Sequence, residues 1–248
     1  MYPLDHRQKT FFEEEGYLVI EDLLSPAEVA YYSDVYTSFL ENRVDASRYR
    51  SDLSGSKGKS EKITQIMVPS KVLPQLLEKP LHQKSLGIAK ALMGDDIALD
   101  FDMLINKAPF TNTITPWHQD AAYWIDMPDK RAASCWVAID PAFKENGCMW
   151  YTPKSHSQPL LPHVQTGNKG ALKCEGSEAN SVCVELRPGS CVFHQGGTLH
   201  YSRGNSTAQH RRALITNFRP AAMIALERQK GVDHTGEREI KAQQMPKN

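Results

Sequence analysis

His118, Asp120, His200 and Arg211 are the residues of this chain whose types and spacing could do chemistry. In an extended strand, side chains alternate between faces, so His118 and Asp120 project together while Gln119 points away. One more imidazole from a neighbouring strand completes two histidines and a carboxylate on one face of a metal. That ligand set is typical of non-haem Fe(II) oxygenases, in which further metal positions stay open for a cosubstrate and O2. A His-x-Asp triplet in a chain with nine histidines also has a plainer reading, an imidazole hydrogen-bonded to a core carboxylate. Its place after Thr115-Pro116-Trp117, at the end of an extended stretch and before a loop, favours the rim of a site.

His194, His200 and His210 are the candidates for the second imidazole. A dicarboxylate cosubstrate that chelates the metal at one end needs a cation at the other, and arginine offers a planar two-pronged fork. His200 pairs best, because Arg211 opens the apolar run Ala213-Leu214-Ile215 and should point inward from the next strand. Ser202 shares the face of His200 and could add a hydroxyl to the same carboxylate. His194 with Arg203 is the weaker pairing, since Arg203 falls in the turn Arg203-Gly204-Asn205; Arg212 should face outward by alternation.

The surrounding pattern reads as a strand framework with helices before it. Residues 6–15 suggest a short helix, followed by an extended Gly-Tyr-Leu-Val-Ile. Ser25-Pro26-Ala27-Glu28 carries a helix N-cap, a first-turn proline and a capping-box glutamate. Residues 44–60 read as a mobile polar surface loop. From Ile97 onward, short runs rich in Val, Ile, Phe, Trp and Tyr alternate with turn signals, which predicts an antiparallel sandwich or jelly roll. The expected plan is one domain over 1–248: a mostly helical flank at 1–95, a jelly-roll core at 96–220 and a charged peripheral tail at 221–248. Segments 121–131 and 158–180 interrupt the strands and are candidate lids.

The chain has 248 residues, with 29 basic and 29 acidic side chains. That balance argues against a general nucleic-acid binder or an anionic-membrane binder. The five cysteines form no CxxC pair and sit mostly in apolar runs, which suggests reduced buried thiols. No signal-peptide core or membrane-length run stands out, so a cytoplasmic enzyme acting on a small molecule is the expectation; oligomeric state is not legible.

Several stretches in order resemble the phytanoyl-CoA dioxygenase family: Met103-Leu-Ile-Asn-Lys-x-Pro109, Trp117-His-Gln-Asp120, Trp136, Glu145-Asn-Gly-Cys148, Pro153-Lys-Ser-His156, and His200-x-Ser202 leading to Arg211. The resemblance runs from the Gly-Tyr-Leu-Val-Ile segment to about Pro220. It implies a double-stranded β-helix (a cupin-like jelly roll) with flanking helices, and Fe(II), 2-oxoglutarate and O2 as cofactor and cosubstrates. By it, His118, Asp120 and His200 would ligate iron, while Arg211 and Ser202 would hold the distal carboxylate of 2-oxoglutarate. Met103 and Trp136 match positions lining the cosubstrate; Lys107 matches a recurrent lysine, and Gln65 stands where some relatives direct a lysine toward 2-oxoglutarate.

Two features adjust that picture. The family's Pro-Gly-Ser-His appears as Pro153-Lys154-Ser155-His156, so either this turn keeps φ negative or its loop differs, and its histidine should be structural. Asp120 stands where related halogenases carry Ala or Gly, which favours hydroxylation over chlorination. The expected reaction is hydroxylation of an unactivated carbon in a small or medium metabolite, with release of succinate and CO2. Trp117, Tyr123, Trp124 and Trp150 could form a substrate wall or simply cap the barrel. Lys57, Lys59 and Lys62 are the best candidates for an anionic substrate group, though a solvated loop is their plainer meaning. The alternatives are a non-catalytic jelly-roll metabolite-binding module, and a Zn(II) hydrolase using the same ligands without need of Arg211.

Overall fold

The computed structural model describes residues 4–54, 61–166 and 171–234; Lys57, Lys59, part of the 158–180 segment and the end of the charged tail lie outside them. The chain opens with α1 (His6–Glu15), ended by Gly16 at φ 82°, a left-handed conformation that glycine tolerates best. A Cβ at Gly16 would sit 2.3 Å from Nδ1 of His156, so close packing adds a second reason for glycine. β1 (Tyr17–Ile20) follows, then α2 (Pro26–Leu40). The α2 N-terminus forms the expected reciprocal capping box between Ser25 and Glu28.

Next come β2 (Arg50–Asp52), β3 (Ile63–Met67), α3 (Pro69–Val72), α4 (Pro80–Met93) and the long β4 (Ile97–Lys107). β5 (Thr115–His118), β6 (Ala133–Ala138), β7 (Met149–Tyr151), the short β8 (Val164–Gln165) and β9 (Leu172–Lys173), and β10 (Val182–Val184) follow. The chain then runs through β11 (Cys191–Gln195), β12 (His200–Ser202), β13 (Arg211–Pro220) and α5 (Ala221–Gln229).

Two antiparallel sheets face each other as a jelly roll. The larger has the order β1-β11-β6-β13-β4-β3-β2 and the smaller β10-β7-β12-β5. Alternation along β13 divides the interior. Leu214, level with Leu104 and Val137, belongs to the core shared with Phe12, Tyr32, Phe39 and Ile88 of the helices. Ala213 and Ile215 belong to the core between the sheets, with Trp136, Met149 and Tyr151. Arg212, on the helix side, forms a two-pronged pair with Asp140 and donates to Ser33 and Thr37 of α2. Arg211, on the other side, is delivered between the sheets.

Three sequence expectations need correction. The 44–60 stretch contains β2, paired with β3, and Arg50 is tied to Glu61 at 2.9 Å. With β1 and β3, it makes the first 95 residues contribute three strands of the large sheet as well as helices. Lys154 keeps the left-handed backbone, at φ 65°, despite its side chain. Its N–H bonds the carbonyl of Glu15 at 3.0 Å, and His156 Nε2 bonds that of Glu13 at 3.0 Å, so the turn is held to α1 and the motif histidine is structural.

The third correction concerns the charged tail. Residues 221–234 fold back, and Glu227 and His234 are buried with Arg219 and the side chain of Asp100. Arg219 donates to Asp100 and Glu227, Arg228 to Asp100, and His234 Nε2 lies 2.8 Å from Glu227. The charges of this segment were legible, but their partners lie on β4 and β13. Because removing one member leaves buried charge without compensation, Glu227→Ala is expected to destabilise the fold by about 3 kcal/mol in urea unfolding. No helix among the described residues is long and apolar enough to cross a membrane.

Candidate active site

β5 and β12 lie side by side, with His118 directly opposite His200 and the ring centroids 4.2 Å apart. β5 ends at His118. Gln119 continues extended (φ −122°, ψ 129°), so Asp120, which opens a short 3-10 turn, still returns to the His118 face. Oδ1 of Asp120 lies 3.7 Å from Nε2 of His118 and 3.7 Å from Nε2 of His200. Three donors bound at about 2.1 Å and near right angles stand about 3 Å apart, so a modest contraction would close this set on a cation.

Backbone carbonyls select the tautomers. His118 Nδ1–H donates to Pro116 O at 2.8 Å, and His200 Nδ1–H donates to Thr198 O at 2.8 Å. A carbonyl can only accept, so each Nε2 is left with its lone pair toward the site. Burial lowers both imidazoles below the usual histidine value and favours the neutral, ligating form. For Asp120, burial pushes the carboxyl up, but the His194 hydrogen bond and the surrounding imidazoles outweigh it and hold the group ionised. Its Oδ2 accepts from Ser134 Oγ at 2.7 Å and His194 Nε2 at 3.1 Å, which leaves Oδ1 for a metal.

The rival imidazoles have other work. His194 orients Asp120, with Tyr151 Oη 3.3 Å from its Nδ1. His210 bonds Asn106 at 3.0 Å, away from the His118–Asp120–His200 set. Arg203 is engaged by Glu178.

Arg211 is 1% exposed, and its guanidinium lies 5.1 Å from the centre of the Trp136 ring. Its Nε and Nη1, with Ser202 Oγ and Thr115 Oγ1, have no hydrogen-bond partner among the described residues. Buried polar groups are normally satisfied. Four such atoms, all from residues lining one cavity of about 100 Å³ with the His118–Asp120–His200 set, suit an anionic multi-oxygen ligand. Burial pushes the Arg211 guanidinium down to about 10, still a cation at neutral pH.

Thr115 and Ser134 were missed by the sequence reading. Thr115 is three residues before His118, so strict alternation puts it on the wrong face. A register shift between β5 and β12 sets Thr115 opposite Ser202 while His118 stays opposite His200. Ser134 carries no spacing relation to Asp120 and meets it only across the fold.

Met103, Trp136, Gln65, Tyr123 and Trp124 also line the cavity. Gln65 Nε2 donates to Met103 Sδ at 2.7 Å. Lys107 does not line it. Its fully buried ammonium donates to the carbonyls of Thr113 (3.1 Å), Ser202 (3.4 Å) and Arg203 (2.6 Å), holding the backbone behind β12. Burial, reinforced by Arg211, pushes its pKa well down. Trp117 and Trp150 are likewise turned away. Each alternates with an inward neighbour, and they pack on Tyr201 at 4.4 and 6.5 Å between ring centroids. Arg203 covers Trp150.

A family model described as phytanoyl-CoA dioxygenase matches residues 12–213. The chain is 26% identical over 234 residues to a probable phytanoyl-CoA dioxygenase of Caenorhabditis elegans, covering 87% of this chain and 75% of the relative. It is 27% identical over 231 residues to ectoine dioxygenase of Stutzerimonas stutzeri, covering 82% and 73% respectively. Among solved structures, EvdO2 of Micromonospora carbonacea var. aurantiaca complexed with 2-oxoglutarate superposes with a TM-score of 0.73 at 29% identity, covering 88% of this chain and 92% of that one. Sequence, fold and the donor set agree, and the chain belongs to the phytanoyl-CoA dioxygenase family of Fe(II)- and 2-oxoglutarate-dependent oxygenases.

Proposed function

We propose that this chain hydroxylates an unactivated carbon of a small or medium metabolite. In this reading His118, Asp120 and His200 hold Fe(II), and Arg211, Ser202 and Thr115 take the distal carboxylate of 2-oxoglutarate. The carrying observation is the group of unpartnered buried polar atoms on Arg211, Ser202 and Thr115, in the same cavity as the three metal donors. A zinc hydrolase would have no use for that group. Bound iron and 2-oxoglutarate supply, with O2, the oxidising power that converts a C–H to a C–OH as succinate and CO2 leave.

The chain's own residues orient and exclude water. Met103, Trp136 and Ile215 wall the cosubstrate, and Gln65 reaches the same space. Leu53, Phe101, Tyr123, Trp124 and Ala171 remain for the primary substrate. Among the described lining residues the formal charges are those of Asp120 and Arg211, both committed in this reading. An unpaired substrate charge would be costly to bury there, so the part of the substrate that reaches the metal is neutral and largely apolar. Such a small molecule needs no nucleic-acid or membrane surface.

Anaerobic addition of Fe(II) and 2-oxoglutarate is the test. A visible charge-transfer band that requires both is expected; its absence from protein shown to contain both would overturn the reading. Substrate-stimulated succinate formation across a metabolite set then identifies the substrate.

A further inference from the structure

We propose that Gln119 is a positioning residue that couples the ordering of a cover segment to the geometry of the ligand pair on either side of it. The proposal rests on the reading that His118, Asp120 and His200 hold iron. Gln119 points away from that site and is 1% exposed, yet both ends of its amide are used. Nε2–H donates to Gly197 O at 2.7 Å, and Oε1 accepts from Leu161 N–H at 2.9 Å. Its backbone N–H donates to His163 Nε2 at 3.1 Å. His163 Nδ1–H bonds the carbonyl of Leu161 at 2.7 Å, which fixes the tautomer that leaves Nε2 as acceptor.

One side chain therefore joins three pieces of chain. The first carries His118 and Asp120. The second, at Gly197, is next to Thr198, whose carbonyl orients His200. The third is the segment around Leu161 and His163, where Leu160 and Leu161 are each 38% exposed and so lack deep packing of their own. Two flanking bonds lie along the same ligand-bearing stretch: Cys174 N–H to Trp117 O at 2.8 Å, and Leu172 N–H to Tyr123 Oη at 2.8 Å. Ala171, beside that second clasp, lines the cavity. A hydrophobic residue of similar size could fill the space of Gln119. It could not make the two amide bonds to Gly197 and Leu161, so a shift of the cover at Leu161 would lose its direct link to the stretch that orients His200. Coupling of this kind is reciprocal: if the cover steadies the metal ligands, metal must steady the cover.

The experiment compares full-length wild type, Gln119→Leu and Gln119→Glu. It follows hydrogen exchange at the Leu161 amide, with and without Fe(II) plus 2-oxoglutarate under argon, and Fe(II) release to a chelator. In wild type, loading is expected to slow Leu161 exchange. Gln119→Leu should speed that exchange at least tenfold, weaken its response to loading, and release Fe(II) about tenfold faster, the lower end of the range for residues that orient ligands. Gln119→Glu keeps an acceptor for Leu161 but sets a carboxylate against Gly197 O, so it should retain protection at Leu161 while releasing Fe(II) faster. Equal responses to loading in wild type and Gln119→Leu, or unchanged Fe(II) release in both variants, would overturn the proposal. Should Gln119→Leu fail to fold, Gln119→Glu still decides through Fe(II) release. Failure of the iron reading itself would appear separately, as wild type that takes up no Fe(II) and forms no band.

Discussion

Arg211→Leu is expected to lose about 25-fold or more in affinity for 2-oxoglutarate while Fe(II) uptake stays close to wild type. The guanidinium is buried, and its Nε and Nη1 have no partner among the described residues, so its hydrogen-bonding capacity is free for a ligand. Truncating one partner of a buried charge pair costs about 2–5 kcal/mol, and each 1.4 kcal/mol is about tenfold. Iron stays because none of its three proposed ligands touches Arg211 by hydrogen bond. The same substitution has an opposite effect on the cosubstrate-free fold. A buried cation without compensation is destabilising, so Arg211→Leu should raise the Tm of the apo protein and remove the further rise that 2-oxoglutarate gives wild type. Anaerobic titration of 2-oxoglutarate into the Fe(II) protein, with parallel thermal melts, reads both effects. Unchanged affinity would move the distal carboxylate to another donor, with Gln65 an alternative in the cavity. Lys107 is not that alternative, because three carbonyls already take its ammonium.

Asp120→Ala removes the acidic member of the donor set and should lower Fe(II) affinity by more than about 100-fold, beyond the 10–100-fold typical of losing a residue that merely orients a ligand. The fold should lose stability as well, because Ser134 and His194 both hydrogen-bond the deleted carboxylate. Leaving a buried partner unsatisfied costs about 1–3 kcal/mol. His194→Phe provides a useful contrast. It keeps all three donors but removes one of the two hydrogen bonds to Oδ2 of Asp120, so a loss within the 10–100-fold range is expected. Chelator competition under argon measures each affinity. Full Fe(II) retention by Asp120→Ala would remove the carboxylate from the donor set and favour a site built on imidazoles.

The chemistry was legible in residue types because ligation and anion binding demand specific ones. Imidazole, carboxylate and guanidinium cannot be exchanged for apolar groups of the same size. The choice of His200 over His194 and His210 also followed from the sequence, through the requirement for an inward arginine on the following strand. Proximity in sequence is not proximity in space at three aromatic or basic side chains. Trp117 and Trp150 adjoin inward-facing residues, and for that reason alternation turns them outward. Lys107 keeps the inward parity of its strand but lies beyond the cavity, where unsatisfied carbonyls claim it. Lys154 shows a related limit. A side chain with a Cβ points either to negative φ or to a different loop; the hydrogen bonds to α1 hold the backbone left-handed at a cost of about 1 kcal/mol.

By itself the sequence determined that two histidines and a carboxylate share one face, that Arg211 points inward and that alternating strands carry them, since each is a matter of residue type and a period of two. Tertiary structure alone decided the rest. A register shift brought Thr115 beside Ser202, and sheet pairing put His194 and Ser134 on the far oxygen of Asp120. Burial against β4 and β13 put Glu227 and His234, from the described part of the charged tail, in the interior. These contacts join residues far apart in the chain, and no local periodicity records which distant strand, or which side of a bulge, a side chain will meet.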